Sequence, residues 1–445
     1  MEKSKLLRNN MIINILKMRM AIILALWLFA GVGAYAQHAF EDYFNGKRLR
    51  IDFALSGNKD MQAAALIQMR EEPAWDGPLK NLIEPFDMGG YLLEAYDKES
   101  RMKIFSRSFS TLFEEWRTTE QALIETQSWT NSIIMPFPIR PVSLVLLGRN
   151  RATNVKDTLM RWDVDPASIF IDRGKLKEQQ VADMQIKGAS SEKIDLVFLA
   201  EGYTINEKEK YFSDAERFTE ALFTTPPFDQ CREDFNVRAV FLESEDSGTD
   251  FSGKGIFKYT ALNSGFYTFG TDRYLTTPDM KAIRDAVWNV PCDAVFILVN
   301  SEVYGGGGMY NFYAMGSADN ARTLQVFVHE FGHSFAGLAD EYFSSETAYD
   351  SFYNLQYEPW EPNITTLIDF ERKWKDLLPV GTPVPTPLEA PYKEQLGVFE
   401  GGGYLAKGIY RPVDRCMMRD MSPFCPVCSR AILRMVDFLS DRKIR

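Results

Sequence analysis

The hydrophobic pattern of the chain changes near residue 190. Between about 45 and 180, apolar and polar residues alternate in short runs, such as 47–53 and 91–96, and turn residues separate these runs. Alternation with a period of two is typical of half-buried strands, so this part predicts an antiparallel β-sandwich. After 193, predominantly apolar runs at 194–200 and 294–300 alternate with helical stretches. That pattern predicts a mixed α/β sheet with helices on its faces.

The length of 445 residues agrees with more than one folded unit. Residues 181–192 are polar and lack a sustained apolar period, which favours a linker. We therefore predict an α+β multidomain protein with a β-sandwich accessory domain at 37–180 and an α/β domain at 193–445. The accessory domain shows no catalytic pattern.

The first 36 residues have the order of a secretory signal peptide. Five basic residues precede or flank the start of an apolar run at 21–30, and Ala34-Tyr35-Ala36 supplies small residues for cleavage. The apolar run is short for a membrane span. We expect export to the periplasm, the cell surface or the medium, with no stable membrane insertion after cleavage. An uncleaved membrane anchor is the alternative that the sequence leaves open.

Charge and cysteine content exclude two further classes of protein. The net charge is −11, and an acidic surface repels phosphate backbones, so no nucleic-acid partner is expected. Five cysteines are too few for a disulfide scaffold. Cys425-Pro-Val-Cys428 has zinc-knuckle or redox spacing, but the chain lacks the second pair that a structural zinc would need. For Cys416, Cys425 and Cys428 we therefore predict core packing or a local disulfide.

The segment His329-Glu330-Phe331-Gly332-His333 carries the clearest chemistry. Residues at positions i and i+4 lie on one face of a helix, so both imidazoles can reach a single zinc ion. Glu330 could then act as the general base on a water molecule that the zinc activates. The chain has only three histidines, so this spacing is hard to ascribe to chance. We predict one catalytic Zn²⁺ ion bound by His329 and His333.

The third protein ligand should be a carboxylate, because no histidine follows His333. Gly337 can adopt a positive φ angle, end the helix and turn the chain back. Asp340 would then return to the metal, in a pattern similar to the metzincin tail but shifted by one residue. Glu341 is the alternative ligand, and a distant glutamate is a weaker one.

Two further features of such a site have candidates. A methionine turn beneath the zinc would be formed by Met417 or Met418, although methionines are also ordinary core residues. A tetrahedral intermediate needs a hydrogen-bond donor for its oxyanion. The candidates for oxyanion or substrate contacts are Tyr342, Tyr404, Tyr410 and Arg415, each of which could instead be structural.

Several stretches of the chain resemble the bacterial IgA-specific metalloendopeptidase family (metallopeptidase family sixty-four). The matching residues include 197–203, 329–342, 410–412 and 416–419, and the stretch through Tyr342 is the most specific. The resemblance implies a zincin-like catalytic domain that follows an N-terminal β module. It also implies zinc binding by His329 and His333, catalysis by Glu330, and hydrolysis of peptide bonds outside the cell.

The sequence thus favours a secreted zinc endopeptidase that acts on extracellular proteins, with IgA-like host glycoproteins as one candidate substrate. An extended peptide is expected to pair with an edge strand near 310–315, after a flexible glycine loop at 305–308. One alternative is a catalytically idle zincin scaffold that binds proteins or glycans, although an intact Glu330 argues against it. A cell-wall peptide amidase is another alternative.

Overall fold

The structure is a computed structural model that describes residues 39–343 and 352–445. The signal peptide predicted at 1–36 lies outside the described residues. Within them, no helix has both the length and the hydrophobicity that crossing a membrane requires. A short 3₁₀ helix occupies Phe40–Asp42. Residues from Tyr43 onwards cluster as one compact unit.

The N-terminal half of this unit is rich in β-structure, as the alternating pattern predicts. Two four-stranded sheets have the strand orders β5-β1-β2-β8 and β4-β3-β6-β7. Pairing is antiparallel except between β2 and β8, which are parallel. The elements are β1 (Phe44–Gly57), β2 (Gln62–Glu72), β3 (Tyr91–Asp97), β4 (Lys103–Phe109), α1 (Leu112–Trp116), β5 (Gln127–Pro138), β6 (Val142–Arg149), β7 (Lys156–Val164) and β8 (Ile171–Asp172).

Alternate residues of the strands bury one face of each sheet. In β1, Leu49, Ile51, Phe53 and Leu55 are fully buried. Because successive side chains of a strand point to opposite faces, these four lie on the same side. Phe53 meets Phe109 of the other sheet with ring centroids 6.1 Å apart. The period of two in the sequence therefore directs apolar side chains of both sheets towards each other.

The second half is a mixed α/β structure, which confirms that part of the prediction. Its six-stranded sheet has the order β15-β16-β14-β10-β11-β9, with parallel pairing at the centre and antiparallel pairing at both edges. The elements are β9 (Gln180–Gln185), β10 (Ile194–Glu201), α2 (Lys208–Phe223), β11 (Phe235–Phe241), β12 (Asp250–Phe251), β13 (Gly265–Phe266), α3 (Met280–Ala286), β14 (Ala294–Val299), β15 (Gly306–Met309), β16 (Tyr313–Ser317), α4 (Thr323–Ala336), β17 (Phe399–Gly402), β18 (Leu405–Arg411), α5 (Met417–Asp420) and α6 (Pro426–Leu439).

An aromatic cluster fixes two helices to this sheet. Phe327 of α4 packs edge-on against Phe296 of β14, with ring centroids 4.6 Å apart. It also contacts Phe198 of β10 at 5.8 Å and Phe218 of α2 at 5.1 Å. Such aromatic pairs contribute about 0.5–1.5 kcal/mol each beyond the burial of their area. The cluster therefore determines where α4, the helix of the histidine motif, lies on the sheet.

The linker predicted at 181–192 is partly a strand. β9, Gln180–Gln185, pairs antiparallel with β11 at the edge of the larger sheet. None of its six residues is fully buried. An edge strand whose residues are at most partly buried shows only a weak apolar period, which explains why its polarity suggested a linker.

The glycine run at 305–308 was predicted as a flexible loop, but most of it belongs to the edge strand β15. The segment near 310–315 was predicted as an edge strand, but part of it belongs to β16, which lies inside the sheet. The glycines allow β15 to lie directly against α4. A Cβ atom on Gly308 would lie 2.3 Å from the carbonyl oxygen of Glu330, and one on Gly306 would lie 2.8 Å from Glu330 Cγ. Glycine is therefore required at these positions because β15 and α4 approach each other closely, and not because the segment is flexible.

Candidate active site

Helix α4 presents its two histidines on the face opposite its apolar residues. Phe327, Phe331 and Phe335 recur every four residues and are buried in the core. His329 and His333 have the same spacing on another face of the helix. The helix ends at Gly337, which has a φ angle of +62° and donates its N–H to the His333 carbonyl oxygen. The predicted glycine stop is confirmed, and the chain turns back after it.

This turn brings Asp340 to the two imidazoles. The Nε2 atoms of His329 and His333 are 3.1 Å apart. Asp340 Oδ1 lies 3.1 Å from His329 Nε2 and 3.4 Å from His333 Nε2. His329 and Asp340 are buried, and His333 is partly buried. Three residues that the sequence predicted as ligands thus converge on one point, and Glu330 lines the same cleft.

Backbone carbonyls determine which nitrogen of each imidazole faces that point. His329 Nδ1 lies 2.9 Å from the Met417 carbonyl oxygen, and His333 Nδ1 lies 2.6 Å from that of Leu338. A carbonyl oxygen can only accept, so each Nδ1 carries the hydrogen and donates it. In the neutral imidazoles, both Nε2 lone pairs then face each other and the carboxylate. Three acceptors this close require a proton or a metal cation between them.

The spacing of these three atoms fits a zinc ion. Nitrogen and oxygen ligands at about 2.0–2.1 Å from a tetrahedral zinc lie about 3.3 Å apart. The measured separations are 3.1–3.4 Å. Asp340 Oδ1 is buried, has no hydrogen-bond partner in the described structure, and has the two imidazole Nε2 atoms 3.1 Å and 3.4 Å away. The donor set of two imidazoles and a carboxylate is also one that zinc accepts.

Two of the predicted oxyanion residues instead hold Asp340. The hydroxyl groups of Tyr342 and Tyr404 donate to Asp340 Oδ2 at 2.9 Å and 2.6 Å. Partners of this kind orient a ligating carboxylate through its second oxygen. Tyr342 and Tyr404 therefore position Asp340, and their hydroxyl hydrogens are engaged there.

The other two predicted oxyanion residues lie outside the cleft. Tyr410 belongs to β18 and exchanges backbone hydrogen bonds with Thr365, whereas the exposed Arg415 pairs with Asp420 at 2.9 Å. Neither is among the described residues that line the cleft. Arg273 and Tyr304 do line it, and neither is among the candidates that the sequence suggested. The only available signal was that Tyr304 directly precedes the glycine run.

At His333, Asp340 and Glu330, burial and the nearby opposite charges shift the pKa in opposite directions. Burial alone would lower the pKa of His333, but the carboxylates of Asp340 and Glu330 raise it to about 9. Burial acts to raise the pKa of Asp340, yet the two imidazoles hold it well below its usual range. For Glu330, burial outweighs the attraction of the imidazoles and raises the pKa. The site thus attracts a cation and holds one carboxylate whose proton affinity is increased.

Comparison with known families decides the class of the protein. Residues 182–391 and 388–436 match the family model described as IgA Peptidase M64. Residues 39–160 match the model described as Peptidase M64 N-terminus. The chain belongs to the M64 peptidase family. No curated protein matches the chain. The two matches cover the α4 site and most of the N-terminal strands of this M64 peptidase, which confirms the resemblance seen in the motifs.

The methionine segment of the M64 peptidase runs beneath α4. The Met417 carbonyl accepts from His329, and the Met418 carbonyl accepts from the Glu341 N–H at 2.7 Å. Met418 Sδ packs so tightly on Gly332 that a Cβ atom there would lie 3.2 Å from it. Met417 and Met418, for which a methionine turn is predicted, therefore hold both His329 and the segment that carries Asp340 through their backbone carbonyls.

Glu341, the alternative metal ligand, points away from the imidazoles. One carboxylate oxygen accepts from Asn363 Nδ2 at 2.9 Å and lies 3.3 Å from Cys428 Sγ. The contacts of the two neighbouring carboxylates differ, because Asp340 lies at the imidazoles whereas Glu341 lies at Asn363 and Cys428. The structure brings Asp340, and not Glu341, to this site.

The cleft above the site has a volume of about 1480 Å³. Pockets for small molecules measure about 300–1,000 Å³, so the cleft is large enough for a stretch of polypeptide. The N-terminal β-rich region forms part of its wall through Gln62, Ser110, Glu114, Arg149 and Arg151. The region predicted as an accessory module thus contributes directly to the surface that a substrate of the M64 peptidase would meet.

A buried acid in the cleft wall gives a pH-dependent prediction. Burial raises the pKa of Glu361 to about 7 from 4.5. Tyr353 donates to one carboxylate oxygen at 3.0 Å, and the other has no hydrogen-bond partner in the described structure. The folded state binds the proton of Glu361 more tightly than the unfolded state does. Protonated Glu361 therefore adds to the free energy of unfolding at low pH. That stability is lost as the pH rises from about 4.5 through 7.

Glu361→Gln removes this titration. The free energy of unfolding of the variant, relative to wild type, is expected to increase by roughly 2 kcal/mol between pH 5 and pH 8. Urea denaturation at several pH values measures it, and Glu389→Gln, at an exposed position, is the control. A pH-independent difference between Glu361→Gln and wild type would show that Glu361 does not titrate in this range.

Proposed function

We propose that this M64 peptidase is a secreted, zinc-dependent endopeptidase with a zincin-like catalytic domain. His329, His333 and Asp340 would hold the ion. The observation that carries the proposal is the convergence of two imidazole Nε2 atoms and one buried carboxylate oxygen at distances that match a zinc ligand set. When bound, zinc supplies Lewis acidity, which polarises the scissile carbonyl and lowers the pKa of a water molecule beside it.

Glu330 is the proposed general base. It follows His329 directly, lines the cleft, and has a pKa raised by burial. A base whose pKa approaches the working pH accepts a proton from the attacking water and returns it readily. Glu330 would then pass that proton to the nitrogen of the leaving amine. Asp340 would stay ionised throughout, held by Tyr342 and Tyr404.

Arg273 and Tyr304 are proposed as the groups that stabilise negative charge on the substrate carbonyl oxygen. Both line the cleft, and the charge of Arg273 acts on the pKa of Glu330 and of Tyr304. An arginine or a tyrosine can donate to an oxyanion in the absence of a further histidine. Arg273 and Tyr304 are thus proposed in place of the four candidates from the sequence, Tyr342, Tyr404, Tyr410 and Arg415.

The substrate is proposed to be an extended polypeptide that aligns along β15. Backbone hydrogen bonds already link Gly306 to Arg273 and Leu275, so the first part of this edge is covered. Gly307 and Gly308 follow and line the cleft, and Gly308 lies directly against the backbone of Glu330. Peptides commonly add to sheet edges in this way. Export rests on the signal-peptide pattern at 1–36, and IgA-like glycoproteins are candidate substrates because the family description names IgA.

Removal of the metal tests the proposed function. Dialysis against a strong chelator is expected to abolish cleavage of a peptide library, since no ion would remain to polarise the carbonyl. Zinc added back in stoichiometric amounts should restore it. Treatment with chelator already saturated with zinc is the control. Undiminished hydrolysis by protein that metal analysis shows to be zinc-free would contradict the proposal.

A further inference from the structure

A second group of metal-binding side chains lies on the other side of the Asp340 segment. The sulfur atoms of Cys416, Cys425 and Cys428 and a carboxylate oxygen of Glu341 all lie within 4.8 Å of one another. All four residues are buried, and all three cysteines are free thiols. We propose that they bind a second zinc ion, which is structural and separate from the ion at the imidazoles.

The distances fit a tetrahedral metal better than a disulfide. Cys416 Sγ and Cys428 Sγ are 3.7 Å apart. A disulfide would hold the two sulfurs about 2.05 Å apart. Two sulfurs at about 2.3 Å from a tetrahedral zinc lie about 3.8 Å apart, and a sulfur and an oxygen ligand lie about 3.5 Å apart. The distance from Cys428 Sγ to Glu341 Oε1 is 3.3 Å.

Backbone N–H groups are placed to stabilise thiolates in this cluster. The Cys425 N–H donates to Cys416 Sγ, and the Cys428 N–H donates to Cys425 Sγ, both at 3.4 Å. Cys425 is the N-cap of α6, and Pro426 follows at the start of this helix. The N-terminus of a helix favours negative charge and promotes ionisation of a cysteine located there. Thiolates are the form in which cysteine binds zinc.

The carboxylate of Glu341 gives an independent indication that this cluster binds a cation. Glu341 is fully buried, and its Oε2 atom has no hydrogen-bond partner in the described structure. A buried carboxylate is costly unless it is paired or coordinates a metal. Asn363 Nδ2 holds the other oxygen, Oε1, which is the one beside Cys428 Sγ. This carboxylate supplies the fourth ligand that the cysteine spacing lacks.

The proposed ion would join the parts of the chain that build the imidazole site. Glu341 follows Asp340 directly, and Cys416 precedes Met417, whose carbonyl accepts from His329. Cys425 and Cys428 begin α6. One ion would thus tie the Asp340 segment, the methionine segment and the last helix together. Its loss is expected to lower both stability and, indirectly, activity.

Metal analysis of the purified full chain tests the proposal. Two zinc ions per chain are expected, and a thiol-specific mercurial should release one of them while the other remains. Replacement by Co²⁺ should give a thiolate-to-cobalt charge-transfer band, which imidazole and carboxylate ligands do not produce. One zinc per chain, no release by the mercurial and no such band would overturn the proposal. These measurements use the wild-type protein, so they do not depend on the folding of a variant.

Variants assign the ions to the two sites. The double variant Cys425→Ser, Cys428→Ser should retain one zinc and lose the charge-transfer band, whereas His333→Ala should retain one zinc and keep the band. Cys231→Ser, at an isolated buried cysteine, is the matched control and should keep both ions. A thiol titration of denatured wild-type protein should find five thiols. A count of three would show a disulfide and would overturn the proposal, without affecting the assignment of the imidazole site.

Discussion

Glu330→Gln is expected to lower peptide hydrolysis by at least about a hundredfold while the zinc content stays at the wild-type value. Glutamine keeps the size of the side chain but cannot accept the proton of the attacking water. The three proposed ligands, His329, His333 and Asp340, are unchanged by this substitution. Measurement of kcat/KM on a peptide that the wild type cleaves, together with metal analysis of the same sample, gives both readouts.

The matched control is Glu302→Gln, which makes the same change of charge at an exposed residue that is not among the described cleft residues. This variant should keep wild-type activity. If Glu330→Gln hydrolysed peptides at the wild-type rate, Glu330 would not be the base, and a differently organised catalytic site would be favoured. A loss of zinc together with activity would instead show that Glu330 supports metal binding.

Asp340→Asn is expected to lose both the zinc at the imidazoles and the activity. The neutral amide removes the charged ligand atom and also the charged acceptor for Tyr342 and Tyr404. Changes to the residues that merely support a ligand cost about 10–100-fold in metal affinity, so replacement of the ligand itself should cost more. Competition with a chromogenic chelator measures the affinity for zinc in wild type and variant.

Asp60→Asn is the control for this variant, because Asp60 also lines the cleft but lies in its N-terminal wall. Its zinc affinity should equal that of the wild type. The contrast with Glu330→Gln separates the two roles, because one variant keeps the metal and the other loses it. Wild-type affinity in Asp340→Asn would contradict the assignment of Asp340 as a ligand.

Asp340 and Glu341 show how two adjacent residues can serve two sites. In the segment after Gly337, Asp340 faces the imidazoles and Glu341 faces the cysteines. The backbone N–H of Glu341 is anchored on the Met418 carbonyl. Because Glu341 directly follows Asp340, a displacement of Glu341 at the cysteine cluster would also displace Asp340. This arrangement is why the stability of the proposed second site is expected to influence catalysis without contact with the substrate.

The sequence by itself determined the features that depend on local geometry. The helical period fixes His329 and His333 on one face, and Glu330 beside them, whatever the rest of the chain does. Gly337 marks the end of the helix because it tolerates a positive φ angle. The absence of a histidine after His333 predicted a carboxylate as the third ligand. The switch from a period of two to strands that alternate with helices predicted the two halves of the fold.

Only the tertiary structure decided the contacts between distant segments. It brought Asp340, rather than Glu341, to the imidazoles. It placed the hydroxyl groups of Tyr342 and Tyr404 on the carboxylate of Asp340. It placed Arg273 and Tyr304 in the cleft. It also joined Glu341 to three cysteines far along the chain. Spacing along a helix is set by the backbone itself. Segments far apart in sequence meet only through the order of strands in the sheet and the packing of the core, which no local pattern encodes.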